Sequence, residues 1–325
     1  MRIGIIGAGV IANKISQTLR QRWPQWLYAV ASRDLAKAQD FAQRNGFAQA
    51  YGSYEELVSD PQVDIVYVAT PHSHHYAHAR LALEHGKAVI CEKAFTANAR
   101  EAEALIELAR DKGLFLMEAM WTRFMPITRR LHEVLDSGIV GRPRLLLASL
   151  CWAMQEVPRI HRADLCGGAL LDLGIYCLTF ADMYFGSDIV DINSHVVKGG
   201  EDVDWLSTIS LLYGDGKIAN LQTSACCYDK RGIISCERGR IEVDAVNWPK
   251  NVKVYDHTGT LIEEFGCPAD QISGYEYEFL AAQEALGNGW VEHPLMPHAT
   301  TLHLMKVMDS LRHEWDVTYP NDTNL

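Results

Sequence analysis

The chain is poor in positive charge. Its 30 Lys and Arg face 41 Asp and Glu, a formal net charge of −11. A nucleic-acid partner needs a basic surface, so that class is excluded. No apolar run is expected to reach membrane-spanning length, and no membrane partner is expected. The start of the chain reads as a strand rather than a secretory signal. Eight cysteines are present (Cys91, Cys151, Cys166, Cys177, Cys226, Cys227, Cys236 and Cys267), none in C-x-x-C spacing. That spacing argues for reduced thiols in the cytoplasm rather than a zinc site or a disulfide framework. Repeats and low-complexity tracts are lacking too, so solenoid and disordered classes drop out. What is present is ordinary globular material: 48 % hydrophobic and 22 % charged residues over 325, enough for two domains with sizeable cores.

The opening dozen residues are the most informative. A short apolar strand runs into Gly7-Ala8-Gly9-Val10-Ile11-Ala12. This is G-x-G-x-x-A, a dinucleotide-binding fingerprint when it joins a strand to a helix. Gly7 permits the tight turn, Gly9 lets a pyrophosphate approach the backbone, and Ala12 lets helix and strand pack closely. The N–H groups of Val10 and Ile11 then face the phosphates at a helix N-terminus.

Residues 2 to about 120 alternate strand and helix. Strands are expected at 2–6, 27–31, 64–69, 88–91 and 115–118, with helices at 10–22, 35–45, 54–59, 76–85 and 99–112. Alternation with nearly continuous apolar strands predicts a parallel, doubly wound Rossmann sheet. Asp34 and Asn98 are expected N-caps, and Gly113 a helix stop. From residue 121 the texture changes. A helix at 125–137 is followed by strands at 144–152, 189–198, 206–213, 217–228, 232–237, 252–256 and 261–265. Helices are expected at 168–185, 275–286 and 298–315, then a polar tail at 319–325. The expected second domain is therefore α+β, built on a large, mostly antiparallel open sheet. The expected division is 1–120 for the dinucleotide and 121–325 for the substrate.

The end of the second strand discriminates between coenzymes. An acidic residue there suits the ribose hydroxyl of NAD, a basic one the 2′-phosphate of NADP. The sequence is Ala31-Ser32-Arg33-Asp34. Ser32 donates a hydrogen bond, Arg33 pairs with phosphate, and Lys37 adds charge one turn on. Asp34 is the competing acid, better placed as an N-cap. NADP is preferred, with NAD possible.

Other candidates cluster at later strand ends. Thr70-Pro71-His72-Ser73-His74-His75 follows the fourth strand. Its histidines contact the cofactor or substrate, or begin a solvated helix; no metal is expected, since H-E-x-x-H is lacking. Glu92-Lys93 ends the next strand, where Lys93 either meets nicotinamide and substrate or is an ordinary surface lysine. On the helix of the second half, Asp172 and Tyr176 stand four apart and so share a face. A tyrosine serves as general acid/base where a cation lowers its pKa from about 10; pattern alone favours incidental polar residues.

In order, G-x-G-x-x-A, Ser-Arg, Thr-Pro-His-Ser-His-His, Glu-Lys and Gly-Gly-Ala-Leu-Leu-Asp-Leu-Gly-Ile-Tyr resemble the glucose–fructose oxidoreductase/inositol dehydrogenase (Gfo/Idh/MocA) family. Glu92-Lys93-Ala94-Phe95-Thr96 and Met117–Phe124 resemble its dimeric dihydrodiol dehydrogenase and NADP-dependent D-xylose dehydrogenase branch. Ala94, where the wider family has Pro, and Tyr176, where it has His, both match that branch. The resemblance implies an NADP-dependent oxidoreductase acting on a small polyol, either an aldose such as D-xylose or a trans-dihydrodiol. It makes Lys93 the catalytic lysine, Tyr176 the acid/base and Asp172 their support. Trp121 and Arg123 would line the substrate site, Arg33 and Lys37 would meet the 2′-phosphate, and His72, His75 and Glu92 would lie on the cofactor side. It also implies a homodimer through the open sheet. Reduction of dicarbonyls or keto-sugars at the same site remains an alternative, as does an NADP-binding regulator without turnover.

Overall fold

The computed structural model describes residues 1–323. Its first 119 residues lay down β1 (Ile3–Ile6), α1 (Val10–Arg22), β2 (Leu27–Ala31), α2 (Leu35–Asn45), β3 (Gln49–Tyr51), α3 (Tyr54–Ser59), β4 (Ile65–Val68), α4 (His72–Glu84), β5 (Ala88–Glu92), α5 (Ala99–Lys112) and β6 (Leu116–Ala119). The strands pair in parallel in the order β3-β2-β1-β4-β5-β6. Every residue of β1, β4, β5 and β6 is buried, as a sheet covered on both faces requires. Strand order therefore reverses between β1 and β4, where doubly wound sheets bind ligands at the carboxyl ends of their strands. The short, partly exposed β3 lacks an apolar run and was not expected.

The chain continues through α6 (Pro126–Asp136), β7 (Pro143–Cys151), a π-helical turn at Leu170–Gly174, α7 (Ile175–Phe185), β8 (Ile189–Gly199), β9 (Val203–Tyr213), β10 (Ile218–Ser224), β11 (Gly232–Cys236), β12 (Gly239–Val243), β13 (Asn251–Asp256) and β14 (Leu261–Gly266). The eight strands form one sheet, ordered β14-β13-β12-β11-β7-β10-β9-β8. Only β7 and β10 pair in parallel. One face is apolar (Leu146, Ala148, Ile209, Leu211, Ala219, Leu221, Ile234, Ile241), and α7 packs over β7 and β10. The stretch Ala163–Phe185 holds an 18-residue window of mean hydropathy 1.4 and is long and apolar enough for a membrane span, against expectation. Of that apolar window 83 % is buried, which is how a core helix looks.

Two helices close the chain, α8 (Glu276–Asn288) and α9 (His298–Glu314). They correct the expected division. One compact unit holds Met1–Trp121 together with Ile272–Met305; the other holds Thr122–Gln271 and, among the described residues, 306–323. The physical reason is the exposed edge of β6, which a protein must cover. Leu116 N–H donates to Val291 O at 3.0 Å, His298 Nε2 lies 2.8 Å from Leu116 O, and Thr301 Oγ1 donates to Glu118 at 3.0 Å. Phe279, fully buried, stacks on Tyr67 with ring centroids 5.2 Å apart. The expected polar tail is also corrected within the described residues. Tyr319 is buried and donates to Gly167 O at 2.7 Å, and Asp322 pairs with Arg312 at 2.9 Å. Residues 324 and 325 of that expectation lie outside the described chain.

Candidate functional site

In the first unit the site grows from the turn between β1 and α1. Gly7 has φ +105°, and a Cβ there would sit 2.8 Å from Ala69 O at the end of β4. The protein itself requires that glycine. Gly9 is different. Its backbone is extended (φ −96°, ψ −167°), and a Cβ built on it meets nothing within 4 Å. No atom of its surroundings demands glycine, so the missing side chain leaves room for something else.

Helix capping singles out the same place. The Asp34 carboxylate accepts from Lys37 N–H at 3.2 Å and caps α2. Ser53 and Glu56 form a capping box on α3, and Asn98 accepts from Glu101 N–H at 2.9 Å on α5. Among the five helices α1–α5 that cross between strands of this sheet, only α1 and α4 begin without a side-chain cap. They follow β1 and β4, the two strands flanking the reversal. Helix α1 has no acid in its first turn, and Val10 is 77 % exposed, while Ile11 is half-buried and Ala12 fully buried. Open N–H groups, a favourable dipole and empty space at Gly9 fit the diphosphate of a dinucleotide.

At the end of β2, Ser32 is buried and its Oγ accepts from Asp34 N–H at 3.4 Å. Asp34 is engaged at the N-terminus of α2, while Arg33 and Lys37 are exposed. At the end of β4, Pro71 precedes α4, and Thr70 Oγ1 lies 3.0 Å from His78 Nδ1. His75 is 1 % exposed, with Nε2 2.8 Å from Thr70 O and Nδ1 2.9 Å from Ala94 O. It thus ties the loop after β4 to the loop after β5. Burial pushes its pKa down to about 4, against the pull of those two carbonyls, so the ring is neutral near pH 7. His72 packs edge-on against it, with ring centroids 5.5 Å apart. No cluster of metal-ligating side chains occurs among the described residues.

Lys93, half-buried, follows β5, and the Lys93–Ala94 peptide is cis. Glu92 is buried beside it. Its Oε2 accepts from Lys93 N–H at 3.1 Å, and Oε1 accepts from Tyr67 Oη at 2.5 Å. The expected cofactor residues Gly7, Gly9, Val10, Ile11, Ala12, Ser32, Arg33, Thr70, Pro71, His72, His75, Glu92 and Lys93 therefore gather at the carboxyl ends of β1, β2, β4 and β5, with Lys37 one turn into α2. Trp121, also in this unit, is 3 % exposed and packs on Tyr275 at 4.4 Å between centroids.

In the second unit, the run from Gly167 begins a helix under unusual constraint. A Cβ on Gly167 would lie 2.5 Å from Arg159 O. Gly168 has φ +101°, and its Cβ would collide with Asp204 Oδ1. Asp204, fully buried at the start of β9, accepts from Leu170 N–H at 2.6 Å and caps the helix start. Burial raises its carboxyl pKa to about 7. The helix expected at 168–185 opens with the π-helical turn before α7, a feature frequent at functional sites. Asp172 lies in that turn and Tyr176 in the first turn of α7, so the pair stands across the junction of the two helical segments. Both are buried, and Arg159 Nη2 donates to Asp172 Oδ2 at 2.7 Å. Arg123, expected at the substrate site, has its guanidinium paired with Asp182 on α7, both largely buried.

Sequence reasoning missed Tyr67, Arg159, Asp204 and Glu278. Only Tyr67 left a trace, a single hydroxyl in the apolar run of β4; the others acquire roles through long-range contacts.

Known proteins agree with this layout. Residues 1–120 match the model of an oxidoreductase family with an NAD-binding Rossmann fold. Residues 128–242 match the GFO/IDH/MocA C-terminal domain. Trans-1,2-dihydrobenzene-1,2-diol dehydrogenase from Homo sapiens is 35 % identical over 331 residues, covering 99 % of each chain. The Macaca fuscata fuscata enzyme is 36 % identical at the same coverage. A 3-ketoreductase from Actinomadura kijaniata, solved with NADP and TDP-benzene, is 27 % identical. Its TM-score is 0.86, covering 96 % of this chain and 97 % of that one. An aldose-aldose oxidoreductase from Caulobacter crescentus shares the fold, with a TM-score of 0.87 at 22 % identity over 97 % of each chain. A coenzyme turn left open by its own sequence, one family model on each half and relatives aligned end to end make this chain a member of the GFO/IDH/MocA oxidoreductases.

Proposed function

We propose that this oxidoreductase moves hydride between NADP and a secondary carbinol of a small polyol, either an aldose such as D-xylose or a vicinal trans-diol. The observation that carries the coenzyme half is the unfilled space at Gly9 before an uncapped α1. Engagement of Asp34 as a cap, with Arg33 and Lys37 exposed nearby, favours NADP over NAD. The NADP complex of the Actinomadura kijaniata relative supports the same preference. The substrate class rests on the dihydrodiol dehydrogenases aligned over the full chain.

When bound, the coenzyme supplies the nicotinamide ring that exchanges hydride. The chain supplies positioning and proton handling. Tyr176 takes the substrate hydroxyl proton during oxidation and returns it during reduction. The Lys93 ammonium stabilises the negative charge that develops on phenol and substrate oxygen. Asp172, held by Arg159, orients its neighbours by hydrogen bonding. A homodimer through the large sheet is part of the proposal. Leu147, Leu212 and Ile218 lie exposed on one of its faces, and strand register aligns Leu212 with Ile218.

The test is a panel of aldoses, polyols, trans-diols and their keto forms, followed by nicotinamide absorbance with NADP and with NAD. Oxidation of at least one aldose or trans-diol is expected, faster with NADP. Tyr176→Phe should bind NADPH normally and lose roughly 10²–10⁴-fold in turnover. Tight NADPH binding without turnover anywhere, or a near-normal variant, would overturn the assignment. A strong preference for reducing keto-sugars would place the protein with the 3-ketoreductase instead.

A further inference from the structure

Beneath Lys93 lies a chain of acidic groups that the proposed reaction does not use. Tyr67 is fully buried in β4 and donates to Glu92 Oε1 at 2.5 Å. On its other side Glu278 Oε1, from α8, lies 3.4 Å from the same phenol oxygen. Glu278 is fully buried, and its Oε2 has no hydrogen-bond partner among the described residues. The titratable groups bearing on it are Glu92 and Tyr67 from the sheet and Glu276 from its own helix. No cation is among them. Glu276 is itself engaged, accepting from the N–H groups of Ile272, Ser273 and Gly274 at 2.7, 3.1 and 2.7 Å.

One phenol proton cannot satisfy two buried carboxylates. With both ionised, two like charges would face each other in a dry interior, and an oxygen of Glu278 would be charged and bare. A proton on Glu278 Oε1 resolves this. That carboxyl then donates to Tyr67 Oη, Tyr67 donates to Glu92, and Glu92 Oε2 accepts from Lys93 N–H. All three hydrogen bonds point the same way and reinforce one another. Burial, then the Glu92 charge, pushes the Glu278 carboxyl well above the usual carboxylate range. Burial and the Glu92 carboxylate raise Tyr67 likewise, so the phenol keeps its proton.

We propose that Glu278 is a permanently neutral acid that, through Tyr67, fixes Glu92 as the single charged carboxylate at the strand end bearing Lys93. It is a positioning residue for the nicotinamide side of the site, and in this it rests on the function proposed above. The role is conformational and electrostatic, since the line ends at a buried oxygen and offers no exit for a proton.

The experiment combines infrared spectroscopy with kinetics. Wild-type protein should show a buried carboxylic-acid carbonyl band that persists from pH 6 to 9 and vanishes in Glu278→Gln. Tyr67→Phe and Glu278→Ala should lower kcat about tenfold or more. They should also move the acid limb of the kcat pH profile upward, because the charged carboxylate loses its phenol donor in the first variant and the hydrogen bond that polarises that donor in the second. Glu278→Gln, which keeps a neutral donor, should restore both. Absence of the band in wild type would overturn the proposal, and so would a Gln variant as impaired as the Ala variant. Should no substrate turn over, the functional reading fails, while the band still decides the state of Glu278. If the variants do not fold, the wild-type band read at pH 9, where Asp204 is ionised, decides it.

Discussion

Gly9 and Gly168 are hard to tell apart in sequence, each standing in a glycine-rich run at a helix start, one in each unit. Their surroundings differ in kind. Around Gly9 a Cβ would find open space and an ordinary extended backbone. At Gly168 the backbone is left-handed, and the space is filled by the Asp204 carboxylate that caps the next turn. Gly168 is needed by the protein, Gly9 by what the protein holds. A fold-determining glycine and a ligand-determining glycine are thus separated by a single question: what would a methyl group touch?

The comparison breaks most visibly at Gly168. Gly168→Ala should cost about 3 kcal/mol or more, combining strain at positive φ with loss of the Asp204 cap. Chemical denaturation, or loss of soluble protein, reads this out; a change below about 1 kcal/mol would show that the turn relaxes freely. A pH-dependent effect follows from Asp204 itself. Its folded pKa of about 7 lies above the ordinary value of 3.8. The neutral carboxyl is therefore favoured by folding. Its contribution is fully present below about pH 4 and is lost as pH rises toward 7. Asp204→Asn should remove this slope. Relative to wild type, the variant should gain stability between pH 4 and 7, by up to about 4 kcal/mol, and hold a constant difference above. Denaturation at pH 5 and pH 8 checks it, and parallel behaviour of the two proteins would contradict it.

Local chemistry was legible in the sequence, and long-range chemistry was not. The turn at Gly7–Ala12, the caps at Asp34 and Asn98, and the doubly wound sheet follow from residues within one turn or strand of each other. So did the gathering of Ser32, Arg33, His75, Glu92 and Lys93, because parallel strands bring their carboxyl ends to one edge of the sheet. The return of α8 and α9 to the first unit was hidden, since Phe279 and Tyr67 are far apart in the chain. Arg123 is expected only at the substrate site, because its partner Asp182 stands 59 residues away in the chain. The carboxylate that accepts from Leu170 N–H comes from Asp204, 34 residues on, which nothing near Leu170 announces. Strand β3, three residues long, was too short to show a pattern.

The most direct test of the account is NADPH affinity in Gly9→Ala, measured by fluorescence titration beside the thermal stability of the unliganded protein. A methyl group that touches nothing in the protein should leave the melting temperature unchanged. It should weaken NADPH binding about tenfold or more, roughly 1.4 kcal/mol. Unchanged affinity, or a variant that is destabilised without coenzyme, would contradict the claim that this space belongs to the dinucleotide.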